Sequence, residues 1–302
     1  LFGNIFSRKL KKVYPSLIEG TFLTKLIKNV LIFPDRLLGF LCRIILMKST
    51  PVQNNKVLFF TQENRYICNP KYICEELLRR KSKCEIVWAV GKGKSEVPYG
   101  IKKVRFKSLN YYKELFSAKV IITNGVLYKE QPVRLHQQQV LIETWHGSLG
   151  IKKFGPKEYK DSWLYILGAK ATGKRTNYCI TNSSFVSQSL ANAYWPKTKM
   201  LEFGHPRNDI LFDNQLCLQL KKDFCLKYEI SPDTKFVMYG PTFRDNKSIN
   251  AYDLNLNKLL DALEKRFGGH WVGLMRYHRV VKSAMSIAAE LDETLENRVI
   301  DV

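Results

Sequence analysis

Four short stretches gather histidine, arginine and glycine at the ends of apolar runs: WHGSLG (145–150), GHPRND (204–209), GPTFRDN (240–246) and RYHR (276–279). An imidazole titrates near neutrality and can take a proton from an attacking hydroxyl, so His146 is a candidate general base. Gly147 and Gly150 admit backbone conformations that let a ligand approach closely. A turn that opens a helix offers the free N–H groups of Gly147 and Ser148 to a phosphate, and Lys152 and Lys153 add charge nearby. The same residues also read as a histidine capping a strand beside a solvated lysine pair. Residue types alone leave the two readings level.

His278 stands between Arg276 and Arg279. Neighbouring cations disfavour the imidazolium unless a bound anion offsets them, which suits contacts to a diphosphate. The alternative is a basic strand end on the surface. Thr242 and Arg244 follow the apolar run KFVMYG, and a guanidinium fork matches phosphate oxygens. Gly147, Ser148, Thr242, Arg244 and Arg276 therefore form the candidate phosphate-binding set. Arg207, Asn208 and Asp209 are expected to support a loop, since Arg–Asp pairs often brace one.

Other signals are weaker. GAKATGKRT (168–176) imitates a phosphate-binding loop, but Arg175 takes the Ser/Thr position and the stretch runs into a strand instead of a helix. No G-x-G-x-x-G follows a strand, so a nicotinamide or flavin has no support and no cofactor is expected. The seven cysteines lack metal-finger spacing, so no metal site is expected; scattered among apolar residues, they suggest reduced, buried thiols. His136 is expected to be solvated and His270 to pack or cap.

The candidate residues need strand ends to stand on. Apolar runs at 56–61, 84–90, 119–125, 138–147, 177–184 and 198–204 alternate with helix-length spacers, among them 70–81. Such a rhythm predicts buried parallel strands in βαβ units. After a helix near 215–228 it resumes with KFVMYGP, an amphipathic helix, HWVGLMRYH, a helix over 283–297 and RVIDV. In open α/β sheets ligands bind at the carboxyl ends of strands, where all four motifs fall.

Forty-nine Lys+Arg against 27 Asp+Glu give a net charge of +22 over 302 residues, which points to a polyanionic partner. The basic residues lack the aromatic interleaving of a single-strand groove, so nucleic acid is not expected. Residues 1–50 carry nine Lys/Arg and two Asp/Glu among bulky apolar residues. No run there reaches the ~20 apolar residues of a membrane span. The mixture suits helices lying in an anionic membrane interface; helices packed on the protein's own core are the alternative. The chain opens on Leu1 and closes on RVIDV, a strand in mid-course, so a fragment is expected.

Taken together, ETWHGSLGIKKFG, GHPRNDIL, YGPTFRDN and MRYHRVV, in this order and spacing, resemble the CDP-glycerol:poly(glycerophosphate) glycerophosphotransferases, the polymerases and primases of teichoic acids and related capsules. The resemblance runs from about residue 56 to 302. It implies an α/β, GT-B-like fold: a membrane-associating helical segment (1–52), a Rossmann-like acceptor domain (53–229) and the incomplete start of a facing Rossmann-like donor domain (230–302).

The resemblance also implies an activity. An alditol phosphate, usually glycerol phosphate, passes from a CDP-linked donor to a hydroxyl of a lipid-linked acceptor, with release of CMP, at the cytoplasmic face of a bacterial membrane. His146 would be the base, His278 the second functional histidine beside the donor diphosphate, and Arg244 a donor-phosphate contact. The family's Thr-Asp-Tyr-Ser-Ser-type donor motif is expected beyond Val302, and His205 stands at a position the family varies. A GT-B glycosyltransferase using a nucleotide-sugar and a non-catalytic module for anionic polymer are the competing readings. Glycerol versus ribitol, primase versus polymerase and oligomeric state are not fixed by the sequence.

Overall fold

The structure is a computed structural model, and it describes residues 44–93, 96–125, 135–148, 170–171, 173–241, 254–276 and 298–302. Lys152, Lys153, Thr242, Arg244, His278 and the expected helix over 283–297 lie outside these residues. The chain divides into two compact units, Leu1–Asp209 and Ile210–Val302.

The first unit is built on β1 (Gln53–Phe60), α1 (Cys68–Arg79), β2 (Glu85–Val90), β3 (Lys102–Arg105), α2 (Leu109–Ser117), β4 (Ala118–Thr123), β5 (Val140–Glu143), β6 (Tyr178–Ile180), α3 (Ser184–Ala193) and β7 (Lys199–Leu201). Its strands form one seven-stranded sheet in the order β3-β2-β1-β4-β5-β6-β7, with every neighbouring pair parallel.

Strand residues alternate between two faces, and here both faces are covered. Leu58, Phe60, Val87, Ala89 and Ile121 pack with Tyr111, Leu115 and Phe116 of α2. Val57, Phe59, Ile86, Trp88 and Ile122 pack on the other side with Ile73, Cys74 and Leu77 of α1. Phe59 and Trp88 stack across the β1–β2 pair at 5.2 Å. Burial on both faces explains why these strands are continuous apolar runs. Ser108 and Ser183 start α2 and α3 by accepting from the backbone N–H groups of Tyr111 and Val186.

β3 was not expected from the sequence. It is an edge strand in which only Val104 is buried, so it has almost no apolar signal. The expected run at 138–147 is a strand only over Val140–Glu143. Before it, the Gln139 side chain is buried in a turn and donates to the carbonyls of Leu115 (2.6 Å) and Ala118 (2.7 Å).

Of the expected membrane-associating stretch, only 44–52 is described. It holds a short helix at 44–49, with Leu46 and Met47 packed against the core of the first unit. Among the described residues no helix is long and apolar enough to cross a membrane.

The second unit contains α4 (Asn214–Lys227), β8 (Lys235–Tyr239), α5 (Leu256–Phe267), β9 (Trp271–Met275) and β10 (Val299–Asp301). Its strands pair in parallel in the order β10-β9-β8. α4 belongs with this sheet because Phe224 meets Phe236 of β8 edge-on at 5.5 Å. Asn255 caps α5 by accepting from the Lys258 N–H, and Gly268 ends it at φ 63°.

Candidate functional site

In the first unit the strand order reverses between β1 and β4. A crevice outside the carboxyl ends of strands at such a switch is where open α/β sheets bind ligands. The loop after β1 and the residues directly after β4 meet there: the Gln62 N–H donates to Asn124 Oδ1 at 2.8 Å. That bond fixes which side-chain atom of Asn124 is oxygen. Among the described residues its buried Nδ2 has no hydrogen-bond partner.

His146 leaves β5 two residues beyond Thr144, which is held to β4 by bonds from its N–H and hydroxyl to the Thr123 carbonyl (2.7 and 3.1 Å). Between them Trp145 turns the chain in the left-handed region, at φ 50°. Its N–H donates to Glu143 Oε1 at 2.9 Å, and its ring packs edge-on against Trp195 and tilted on Tyr194. The turn sets His146 Nδ1 2.8 Å from the Asn124 carbonyl. A carbonyl only accepts, so Nδ1 carries the proton and Nε2 is left as the basic nitrogen. His146 is half-buried. This is the geometry of an oriented general base.

Glu143 sits beneath this turn, 1% exposed. Burial pushes its carboxyl up to about 8, against the opposing effect of the Trp145 and Thr144 N–H groups. Burial, with Glu143 nearby, also raises the Cys179 thiol.

A second polar cluster adjoins the first. Asn69, fully buried in the first turn of α1, donates through Nδ2 to the carbonyls of Thr144 and Trp145, both at 3.0 Å. Its Oδ1 accepts from the Arg207 N–H at 3.3 Å. One amide therefore ties α1, the histidine turn and GHPRND together. His205, 4% exposed, places Nδ1 3.4 Å from Asn69 Nδ2 and Nε2 2.8 Å from Ser148 Oγ. Burial, reinforced by Arg207, lowers the His205 pKa and so disfavours the charged ring.

Sequence reasoning did not find Asn69 or Asn124, and it left His205 without a role. Asn-Pro at 69–70 and Asn-Gly at 124–125 are both turn signals that could have flagged the two amides.

The remaining expected residues are placed as follows. Among the described residues a Cβ on Gly147 would meet only Trp145 Nε1, at an ordinary 3.7 Å, so their packing does not require glycine there. Arg207 sends Nη1 to Cys68 Sγ at 3.5 Å, and the Asn208 N–H donates to the His205 carbonyl at 2.8 Å. The loop is thus braced through Asn69 and Cys68; no ion pair joins Arg207 to Asp209, which stands in the 3-10 segment Pro206–Phe212. Arg276 lies in the second unit, exposed, with its N–H on the Tyr239 carbonyl and Nη1 on the Val302 carbonyl at 2.6 Å.

The described part of the stretch that imitates a phosphate loop, 170–171 and 173–176, packs on its neighbours. A Cβ on Gly173 would collide with the Tyr194 carbonyl, and Arg175 donates to the His136 carbonyl at 2.6 Å. His136 itself is half-buried, with Nε2 out of solvent. That corrects its expected solvation: Arg175 and Gln139 hold its backbone inward. His270 lies 3.2 Å from Glu264, whose Oε1 also accepts from the Trp271 N–H. Among the described residues no three His, Cys, Asp or Glu side chains gather as a metal-ligand set.

Comparison with known proteins agrees with the strand-end motifs. The chain is 26% identical over 253 residues to a teichoic acid poly(glycerol phosphate) polymerase of Staphylococcus epidermidis, covering 78% of this chain and 33% of that protein. It is 26% identical to a teichoic acid glycerol-phosphate transferase of Staphylococcus aureus, covering 76% of this chain and 61% of the relative. The chain thus spans a third to three-fifths of the length of these relatives. The solved wall teichoic acid polymerase TagF has the same fold, with a TM-score of 0.68 at 23% identity over 93% of this chain and 69% of that one. The family match extends over residues 42–302, and the chain belongs to the CDP-glycerol:poly(glycerophosphate) glycerophosphotransferase family.

Proposed function

We propose that the protein transfers glycerol phosphate, or a related alditol phosphate, from a CDP-linked donor to a hydroxyl of a lipid-linked acceptor or growing polymer in teichoic acid or capsule-type synthesis. The acceptor oxygen attacks the phosphorus that bears the alditol. The bond from that phosphorus to the bridging oxygen breaks, and CMP leaves with the bonding pair. The acceptor proton passes to His146 Nε2. The observation that carries this reading is the 2.8 Å bond from His146 Nδ1 to the Asn124 carbonyl, at the switch point of a chain in this family. In-line transfer of this kind needs mainly positioning and charge stabilisation.

In the same reading Gly147 and Ser148 offer the histidine turn to a phosphate, and Thr242, Arg244, Arg276 and His278 act on the CDP diphosphate. The two sheets belong to two Rossmann-like domains of a GT-B-like fold. The basic N-terminal stretch rests on the anionic cytoplasmic face of the membrane, and the reaction needs no cofactor besides its donor. Support comes from the net charge of +22 and from the relatives' names. TagF, in addition, has been solved after soaking with CDPG.

The test is the full-length protein on a lipid-linked acceptor with CDP-glycerol and CDP-ribitol, beside His146→Ala and His278→Ala. CMP release that is lost in both variants is expected. Near-normal turnover in both, or UDP or GDP released from a sugar nucleotide instead, overturns the reading.

A further inference from the structure

His205 and Ser148 form a pair that the proposed chemistry has not yet used, and their partners fix which way the pair points. Asn69 settles the question. Its Nδ2 faces the carbonyls of Thr144 and Trp145, and its Oδ1 takes the Arg207 N–H. The atom facing His205 Nδ1 at 3.4 Å is therefore the amide nitrogen. A protonated Nδ1 would set donor against donor, so Nδ1 keeps its lone pair and the ring proton sits on Nε2. His205 Nε2–H then donates to Ser148 Oγ across 2.8 Å.

Two consequences follow. His205 cannot draw the proton from Ser148, which excludes a serine nucleophile built on this pair despite its Ser–His spacing. Ser148, with one lone pair taken by His205, keeps its own O–H to donate on the turn that carries His146. We infer that His205 is a positioning residue that orients the Ser148 hydroxyl as a hydrogen-bond donor to an anionic phosphate oxygen of the substrate. The two histidines then hold opposite tautomers for opposite tasks. His146 keeps Nε2 bare to accept a proton, while His205 keeps Nε2 protonated and accepts none.

The inference rests on the proposed reaction for its substrate, so its test has one arm that needs no turnover. In the first arm, 15N-labelled imidazole spectra of the full protein are compared with those of Ser148→Ala. They are expected to show His205 in the Nε2–H form, neutral throughout the physiological range, with the Nε2–H signal moved in the variant. A His205 Nδ1–H form, or an imidazolium near neutrality, overturns the inference whatever the enzyme does.

The second arm is kinetic, with CDP-glycerol. A hydrogen bond to a charged group is worth about ten- to a hundredfold, so Ser148→Ala and His205→Phe should each lower kcat/KM by roughly that factor. The double variant should be no worse than either single one, since the two act as one unit. His205→Gln, whose Nε2 still donates, should recover most of the loss and also guards against a misfolded His205→Phe. Additive losses, or no rescue by Gln in a protein that melts like the wild type, overturn the pairing. If the wild type does not turn over CDP-glycerol at all, the proposed reaction fails, while the tautomer arm still decides the orientation of Ser148.

Discussion

The two ends of the first sheet carry polar clusters of opposite design. At the amino end, Lys56 is 4% exposed and lies 2.7 Å from Glu114, 3.4 Å from Glu85 and 3.1 Å from Ser117. Lys102 meets Glu114 from the other side at 2.6 Å. Burial alone would raise the Glu114 carboxyl, but the bonds from Lys102 and Lys56 outweigh it and hold the group below its ordinary value. Every charge there is answered. At the carboxyl end the groups that meet are mainly amides, hydroxyls and imidazoles, and among the described residues capacity is left over: an Asn124 Nδ2 without a partner and a His146 Nε2 held bare by its tautomer. A saturated cluster holds a fold together, whereas one with directed spare capacity has something left to offer a ligand.

The sharpest break of this contrast is His146→Ala. Loss of a general base should lower kcat by about 10²–10⁴-fold without moving the melting temperature, measured as CMP release beside a thermal melt. Lys56→Met should do the converse. Removing one partner of a buried pair costs about 3–5 kcal/mol, and Lys102 remaining on Glu114 puts the expected loss at the low end. Turnover of the surviving folded protein should be normal, so denaturant titration and specific activity must move apart.

Glu143→Gln probes the border between the two designs. The folded carboxyl keeps its proton to about pH 8, while in the unfolded chain it titrates in the ordinary range near 4.5. Its contribution to stability is therefore complete below the unfolded value and is lost as pH rises through the folded one. Glutamine keeps an acceptor for the Trp145 N–H, so the variant should melt higher than the wild type by a margin that widens from pH 5 to pH 9. A margin independent of pH would refute the buried, protonated carboxyl. Smallest of all should be Glu76→Gln. It removes an exposed carboxylate bonded to Arg79 and Arg80 at 2.6 Å, and solvent-screened pairs of this kind leave the melting temperature nearly unmoved.

The sheet was largely legible in the sequence because strands buried on both faces must be apolar runs, as VLFF and IVWAV are. β3 was not, since KKVR commits only Val104 to the core. His146 could be placed at a strand end, and its companion motifs favoured a base over a cap, but its own stretch left the two readings level. What decides the tautomer is a backbone carbonyl 22 residues earlier, which no local pattern encodes. The Asn-Pro signal could flag Asn69 as a turn residue but not its role, because its partners lie 75, 76 and 138 residues away. His205 looked like a variable residue because its meaning depends on Ser148, 57 residues before it. Strands are written in neighbouring residues, and this site is written in distant ones.

Trp145 does more than bend the chain. Its indole lies 4.5 Å from the His146 imidazole, tilted by 31°, so a fluorophore shares the surroundings of the base. The protein therefore contains its own optical probe of the base. Shielding of His146 by a bound substrate is written into the emission of the residue that holds it in place.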